Sequence, residues 1–131
     1  MNAKNQIMAA LHNLGLARSD VSQMREVLQG IEAEMKKELP VEKREALKSE
    51  RASLLASLSA TEHSIRREER LLSLLSPEEQ KVLERMVIDP QPEAAFDLAE
   101  ELYCGTTRIY SIRSRALAKL VRLRHGAGAS A

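Results

Sequence analysis

Apolar residues recur every seven positions at the start of the chain. Ile7, Leu14, Val21, Leu28 and Met35 form one row, and Ala10, Ala17, Met24 and Ile31 form a second, offset by three. This spacing gives a helix one apolar seam and drives it to pack alongside another helix. The phase holds through Gly15, so the pattern predicts one helix from about Ala3 to Glu38. Gly15 and Gly30 each cost roughly 1 kcal/mol against Ala inside a helix, and Ser19 and Asp20 offer a second start signal if the helix breaks near Gly15–Asp20. Pro40 ends the stretch, because it lacks a backbone donor and disfavours helical geometry at Leu39. A second periodic stretch runs from about Val41 to Leu75. One row holds Arg51, Leu58, Ile65 and Leu72, and the other Leu47, Leu54, Thr61, Glu68 and Leu75. Arg51 and Glu68 interrupt this seam. Two helices of similar length joined by a short link are expected to form an antiparallel hairpin.

Met8, Leu11, Leu55, Leu71 and Leu74 fall outside the two seams. They call for a further packing surface. That surface is either a second chain, giving a homodimer, or the C-terminal part of this one.

A new start follows at Ser76. Ser76 is a capping residue, Pro77 suits the first helical position, and Glu79 stands where a capping box needs it. Farther on, Asp97 to Leu102 reads as a short helix with Leu98 and Leu102 on its apolar face and a small residue, Ala99, beside them. Tyr103-Cys104-Gly105 is a tight segment. The helix that follows, from Thr106 to Leu120, has a buried face of Ile109, Ile112, Ala116 and Leu120. A small side chain at Ala99 permits a steep crossing, with Leu98, Leu102, Cys104, Ile109 and Ile112 filling the wedge. That is the plan of a helix-turn-helix, whose second helix can enter a DNA major groove by its N-terminal end.

Composition agrees with an all-α fold. The 131 residues include one Phe, two Tyr and no Trp, so core volume must come from Leu, Ile, Val and Met. Sandwiches and barrels lean more on aromatic and β-branched residues. The expected organisation is a helical oligomerisation arm over 1–75, a helix-turn-helix domain over 76–125 and a flexible tail over 126–131, rich in Gly and Ala.

The net charge of +1 suggests no nucleic-acid partner by itself. Its distribution does. Eight acids and two bases lie between Pro77 and Leu102. Beyond Leu102 there is no acid, and Arg108, Arg113, Arg115, Lys119, Arg122 and Arg124 follow. A cationic helix can neutralise phosphates. Thr106, Thr107, Arg108 and Ser111 are the candidates for reading base edges, since Arg bonds guanine bidentately and the Thr methyl meets that of thymine. Tyr110, Arg113 and Arg115 are candidates for further DNA contacts, mainly to phosphate, whereas Lys119 and Arg122 read as solvated.

Leu75-Ser76-Pro77-Glu78-Glu79, Leu98-Ala99-Glu100-Glu101-Leu102 and Arg115-Ala116-Leu117-Ala118-Lys119-Leu120 together resemble region 4 of bacterial sigma factors. With the helical arm added, the chain resembles the sigma-like late-operon activators of temperate phages, of the RinA and ArpU kind. The resemblance covers 75–121, little more than a third of the chain. It implies a sequence-specific regulator on double-stranded DNA, with RNA polymerase as a further partner. The family often has Gly where Tyr103 stands, and a non-Gly residue there is strained if the backbone is left-handed. Gly105 occupies the usual place of a capping Ser.

Two other readings share this architecture: a DNA-packaging recognition subunit, and a sigma-like module that binds protein and never DNA. Cys104 has no disulfide partner and suits the turn as a small buried residue. His12, His63 and His125 are scattered, so no metal or other cofactor is expected. No catalytic constellation can be placed, and an enzyme is not expected. No apolar run reaches the roughly 18 residues of a membrane span, and Met1 to Leu16 lacks a signal pattern. The expected location is the cytoplasm.

Overall fold

The structure, a computed structural model, describes residues 2–130, with side chains as far as Gly126. Every regular element among the described residues is helical. The first helix, α1 (Ala3–Met35), is unbroken through Gly15–Asp20. Asn2 caps it, its side-chain oxygen accepting from the Asn5 N–H at 2.8 Å. It ends three residues before Glu38. Lys36 and Lys37 donate three residues back, to Ala33 and Glu34, and the Arg44 guanidinium donates to the carbonyls of Met35 and Lys37 at 3.0 and 2.9 Å. The stop thus depends on a side chain beyond Pro40 that satisfies carbonyls the helix leaves open.

The second helix, α2, spans Val41–Leu72. Both polar interruptions of its seam are ion-paired, Arg51 with Glu32 at 3.4 Å and Glu68 with Arg124. Half-buried charges in a seam are tolerable only with such partners. A third helix, α3 (Pro77–Leu83), runs directly into a π-helical turn, Glu84–Ile88. There the Asp89 N–H reaches back five residues to the Glu84 carbonyl at 2.9 Å. Then come α4 (Ala94–Glu101) and α5 (Thr106–Ser130). The segment expected to be a flexible tail is therefore helical in its backbone from Gly126 through Ser130, while Ala131 lies outside the described residues.

The chain forms two compact units that do not follow a boundary at Ser76. One is Leu16–Arg66. Its interior is the seam of α1 and α2, with Val21 and Ile31 buried and Leu47, Leu54, Leu58 and Ile65 half-buried. Arg25 also pairs with Glu62 at 3.1 Å. Leu16, Val27 and Leu55 stay exposed, the first two by 53 and 51 %.

The other unit joins the chain up to Gly15 with the chain from Arg67 onward. Ile7, Leu11 and Leu14 are buried there, as are Leu72, Leu83, Leu117 and Leu120. Leu11 and Leu71, two of the residues expected to need a further packing surface, border the same apolar space as Leu72 and Leu120. The partner for these two is the C-terminal part of the chain. Gly15 has a specific task here. A Cβ at this position would collide with the backbone carbonyl oxygen of Ile88 and lie 3.2 Å from its carbonyl carbon. Only glycine lets α1 pass so close to the π-helical turn.

Candidate nucleic-acid interface

The buried centre beneath α4 and α5 is Val82, Leu98, Ala99, Ile109 and Ile112, with Met86, Ala95, Leu102 and Cys104 packed against it. Leu98, Leu102, Cys104, Ile109 and Ile112 are the wedge residues expected from the sequence; Val82, Met86 and Ala95 join them from α3, the π-helical turn and α4. The apolar row of α5 is Ile109, Ile112, Ala116 and Leu120, all at most 3 % exposed, with Leu117 added.

The connection between α4 and α5 is fixed by two backbone hydrogen bonds. Cys104 N–H donates to Ala99 at 3.0 Å and Tyr103 N–H to Glu100 at 3.4 Å. This 6→1 and 5→2 pair is a Schellman ending, which needs a left-handed residue just past the helix. Tyr103 fills that place at φ 52°. The usual occupant is Gly, which enters this region without a Cβ penalty. Gly105 precedes α5 and its carbonyl accepts from the Ile109 N–H at 3.4 Å. A side chain there would meet nothing within 4 Å.

This framework decides which candidate side chains share a face. A helix turns about 100° per residue, so Thr107, Ser111 and Ser114 lie opposite the buried row. Arg108, Arg115 and Arg122, seven apart, follow one flank of that exposed face. Thr107, Arg108, Ser111, Arg115 and Arg122 are all exposed. Tyr110 is 51 % exposed and lies on the other flank. Thr106 and Arg113 are only half-buried to half-open, and Arg113 falls beside the Ile109–Ala116–Leu120 row rather than among the exposed arginines. The structure thus groups four of the seven candidates, Thr107, Arg108, Ser111 and Arg115, sets Tyr110 at the edge, and turns Thr106 and Arg113 inward.

Two cations of α5 are committed elsewhere. Lys119, expected to be solvated, donates to the Glu79 carboxylate at 2.9 Å, and Glu79 is only 5 % exposed. The same carboxylate oxygen accepts from the Ser76 N–H at 3.0 Å, while the Glu79 N–H donates to the Ser76 hydroxyl at 3.1 Å. This is the capping box expected at Ser76, with a lysine added from α5. Burial pushes the Glu79 carboxyl up, but hydrogen bonds from Lys119 and Ser76 outweigh it and hold the group below the ordinary carboxylate value. Arg124 is spent on Glu68. No local pattern announces either pair, because the partners are 40 and 56 residues apart. Arg108, Arg115 and Arg122 have no ion pair among the described residues, and they are the cations left to face outward.

The face of α4 has the opposite sign. Glu93, Asp97 and Glu100 are exposed around Phe96, itself 68 % exposed. Glu101 is tied back by Arg85 at 2.6 Å and Lys81 at 3.0 Å. These hydrogen bonds, Arg85's first, hold its carboxyl below the usual range. Among the described residues no three His, Cys, Asp or Glu side chains gather as a metal-binding set. No helix there is long and apolar enough to cross a membrane. No protein-family model, no curated protein and no solved structure matches the chain.

Proposed function

We propose that this protein is a sequence-specific, double-stranded-DNA-binding transcription regulator of the phage type, whose α4, turn and α5 act as a helix-turn-helix. The observation that carries the reading is the sidedness of α5. Its apolar row is buried, and the opposite face presents Thr107, Arg108, Ser111 and Arg115 near the end that would enter a major groove. Arg108 and Thr107, in the first turn, read base edges. Arg115 and Arg122, two and four turns farther along, anchor on phosphate, which fixes register without carrying sequence information. Tyr110 supplies a neutral contact at the flank.

The arm is proposed as a helical hairpin that dimerises. Support for the hairpin is that partners on α2 descend as those on α1 ascend: Arg25 with Glu62, Glu32 with Arg51, Met35 with Arg44. Support for a second copy is the apolar surface the fold leaves open. Leu16 and Val27 are eleven residues apart, so they share one face of α1.

A titration of genomic fragments against the full chain at several salt concentrations tests the reading. The three arginines on the exposed face of α5, Arg108, Arg115 and Arg122, or about six in a dimer, predict a slope of log affinity against log salt of roughly −5. A flat response contradicts it. One observation favours a protein-binding reading instead: Phe96 is exposed among three acids, which suits a cationic partner such as a basic surface of RNA polymerase and repels phosphate. Salt-insensitive failure to bind DNA would select that reading. A mass of eight or more chains would select a packaging ring.

A further inference from the structure

Tyr103 is one of two non-glycine residues, with Glu93, that hold a left-handed backbone among the described residues. It takes a left-handed conformation, φ 52°, that a Cβ disfavours, and its side chain is 96 % exposed. It packs on nothing and makes no side-chain hydrogen bond among the described residues. Glycine would complete the same Schellman ending without strain. The protein has only three aromatic residues, and it leaves all three, Phe96, Tyr103 and Tyr110, at least half exposed. A strained residue whose side chain contributes nothing to the interior points to a use outside the molecule.

The place of the residue narrows that use. Tyr103 lies three residues before Thr106, the first residue of α5, so it borders the helix end that carries Thr107 and Arg108. Of the two acids shortly before it, Glu101 is already held by Arg85 and Lys81, and the exposed Glu100 would draw a lysine or arginine at this site into an ion pair. A phenol is neutral and keeps its O–H donor for another acceptor. We propose that Tyr103 is a DNA-backbone contact, its hydroxyl donating to a phosphate oxygen at the groove edge beside the start of α5; this rests on the DNA-binding reading above.

The contact has an unusual signature, because stability and affinity move in opposite directions. In the full-length protein, Tyr103→Gly should raise the melting temperature by relieving the left-handed strain. It should also lower affinity for a mixed-sequence duplex by about tenfold, the worth of one hydrogen bond to a charged group. Tyr103→Phe keeps the ring and the strain. It should lose nearly the same affinity at an unchanged melting temperature. The salt slope should stay as in the wild type for both, since no cation is removed, whereas Arg115→Ala, which removes one cation from each chain of a dimer, should make it shallower by about two. Wild-type affinity in the Phe and Gly variants, with Arg115→Ala still weakened, would overturn the Tyr103 contact alone and leave the turn to a protein partner. A lower melting temperature in the Gly variant would overturn the strain argument on which it stands. Absence of duplex binding by the wild type would overturn the underlying reading, and the contact with it.

Discussion

Gly15 and Gly30 both sit inside α1, and propensity alone gives them the same value. Each should gain about 1 kcal/mol on replacement by Ala. Their surroundings separate them. A Cβ at Gly30 would meet nothing within 4 Å, while one at Gly15 would run into the Ile88 carbonyl oxygen. That obstacle is backbone, held in the π-helical turn by the Asp89 N–H bond to Glu84, and it cannot swing aside as the end of a long side chain can. Parting α1 from the turn also loosens Ile88 and Leu14, which are 4 and 3 % exposed. Overpacking of this kind costs about 1–3 kcal/mol, and backbone against backbone belongs at the upper end. Set against the propensity gain, Gly15→Ala should destabilise by roughly 1–2 kcal/mol. Gly30→Ala should stabilise by about 1 kcal/mol. Urea unfolding followed by far-ultraviolet circular dichroism resolves this difference. With a slope of about 2 kcal/mol/M, the two midpoints should lie more than about 1 M apart, on either side of the wild type. Two parallel gains would show that α1 does not approach Ile88 closely, and the reasoning about Gly15 would be refuted.

Glu79→Gln should cost on the order of 1–3 kcal/mol at neutral pH, less than for a fully buried pair because Lys119 keeps water. A carboxyl held below its ordinary value of 4.5 contributes stability above that value and loses it as pH falls through the lowered one. The wild type should therefore weaken more steeply below about pH 4.5 than the variant, which urea midpoints across the acid range would show; parallel curves would count against the Glu79–Lys119 pair. For the arm, Val27→Glu should turn a dimer into a monomer in sedimentation equilibrium, with helicity kept because Val27 is outside the seam. Leu28→Lys, on the half-buried seam, should instead lower the melting temperature of the chain itself. An unaltered mass with Val27→Glu would remove that face from the interface.

What the sequence discloses here is what depends on near neighbours. Ser76, Pro77 and Glu79 stand within one turn, so their cap is legible in the amino acids themselves, and the fold makes both of its hydrogen bonds. The buried row of α5 is legible for the same reason, since helical periodicity repeats every few residues. The strain at Tyr103 is visible as a residue type at odds with its place in a turn. Features set by distant parts of the chain are not legible. Gly15 reads as a weak point in α1 unless Ile88 is known to lie beside it. Lys119 and Arg124 read as members of a cationic face, yet Glu79 and Glu68 hold them. The π-helical turn at Glu84–Ile88 has no local signature among its residues that we can name. For the candidate site, periodicity indicates which side of α5 is polar, and the structure adds that Arg113 lies off that side.

The central claim is that the first turn of α5 reads DNA sequence while its later arginines anchor. The most direct measurement is a titration of wild type, Arg108→Ala and Arg115→Ala against one selected site and one scrambled duplex at fixed salt. Neither side chain belongs to the buried row of Ile109, Ile112, Ala116 and Leu120, so both variants should keep their helicity and melting temperature. Arg108→Ala should lose about 1–3 kcal/mol per half-site on the selected duplex and much less on the scrambled one. Arg115→Ala should weaken both about equally. A specific-to-scrambled ratio that Arg108→Ala leaves unchanged would contradict the account.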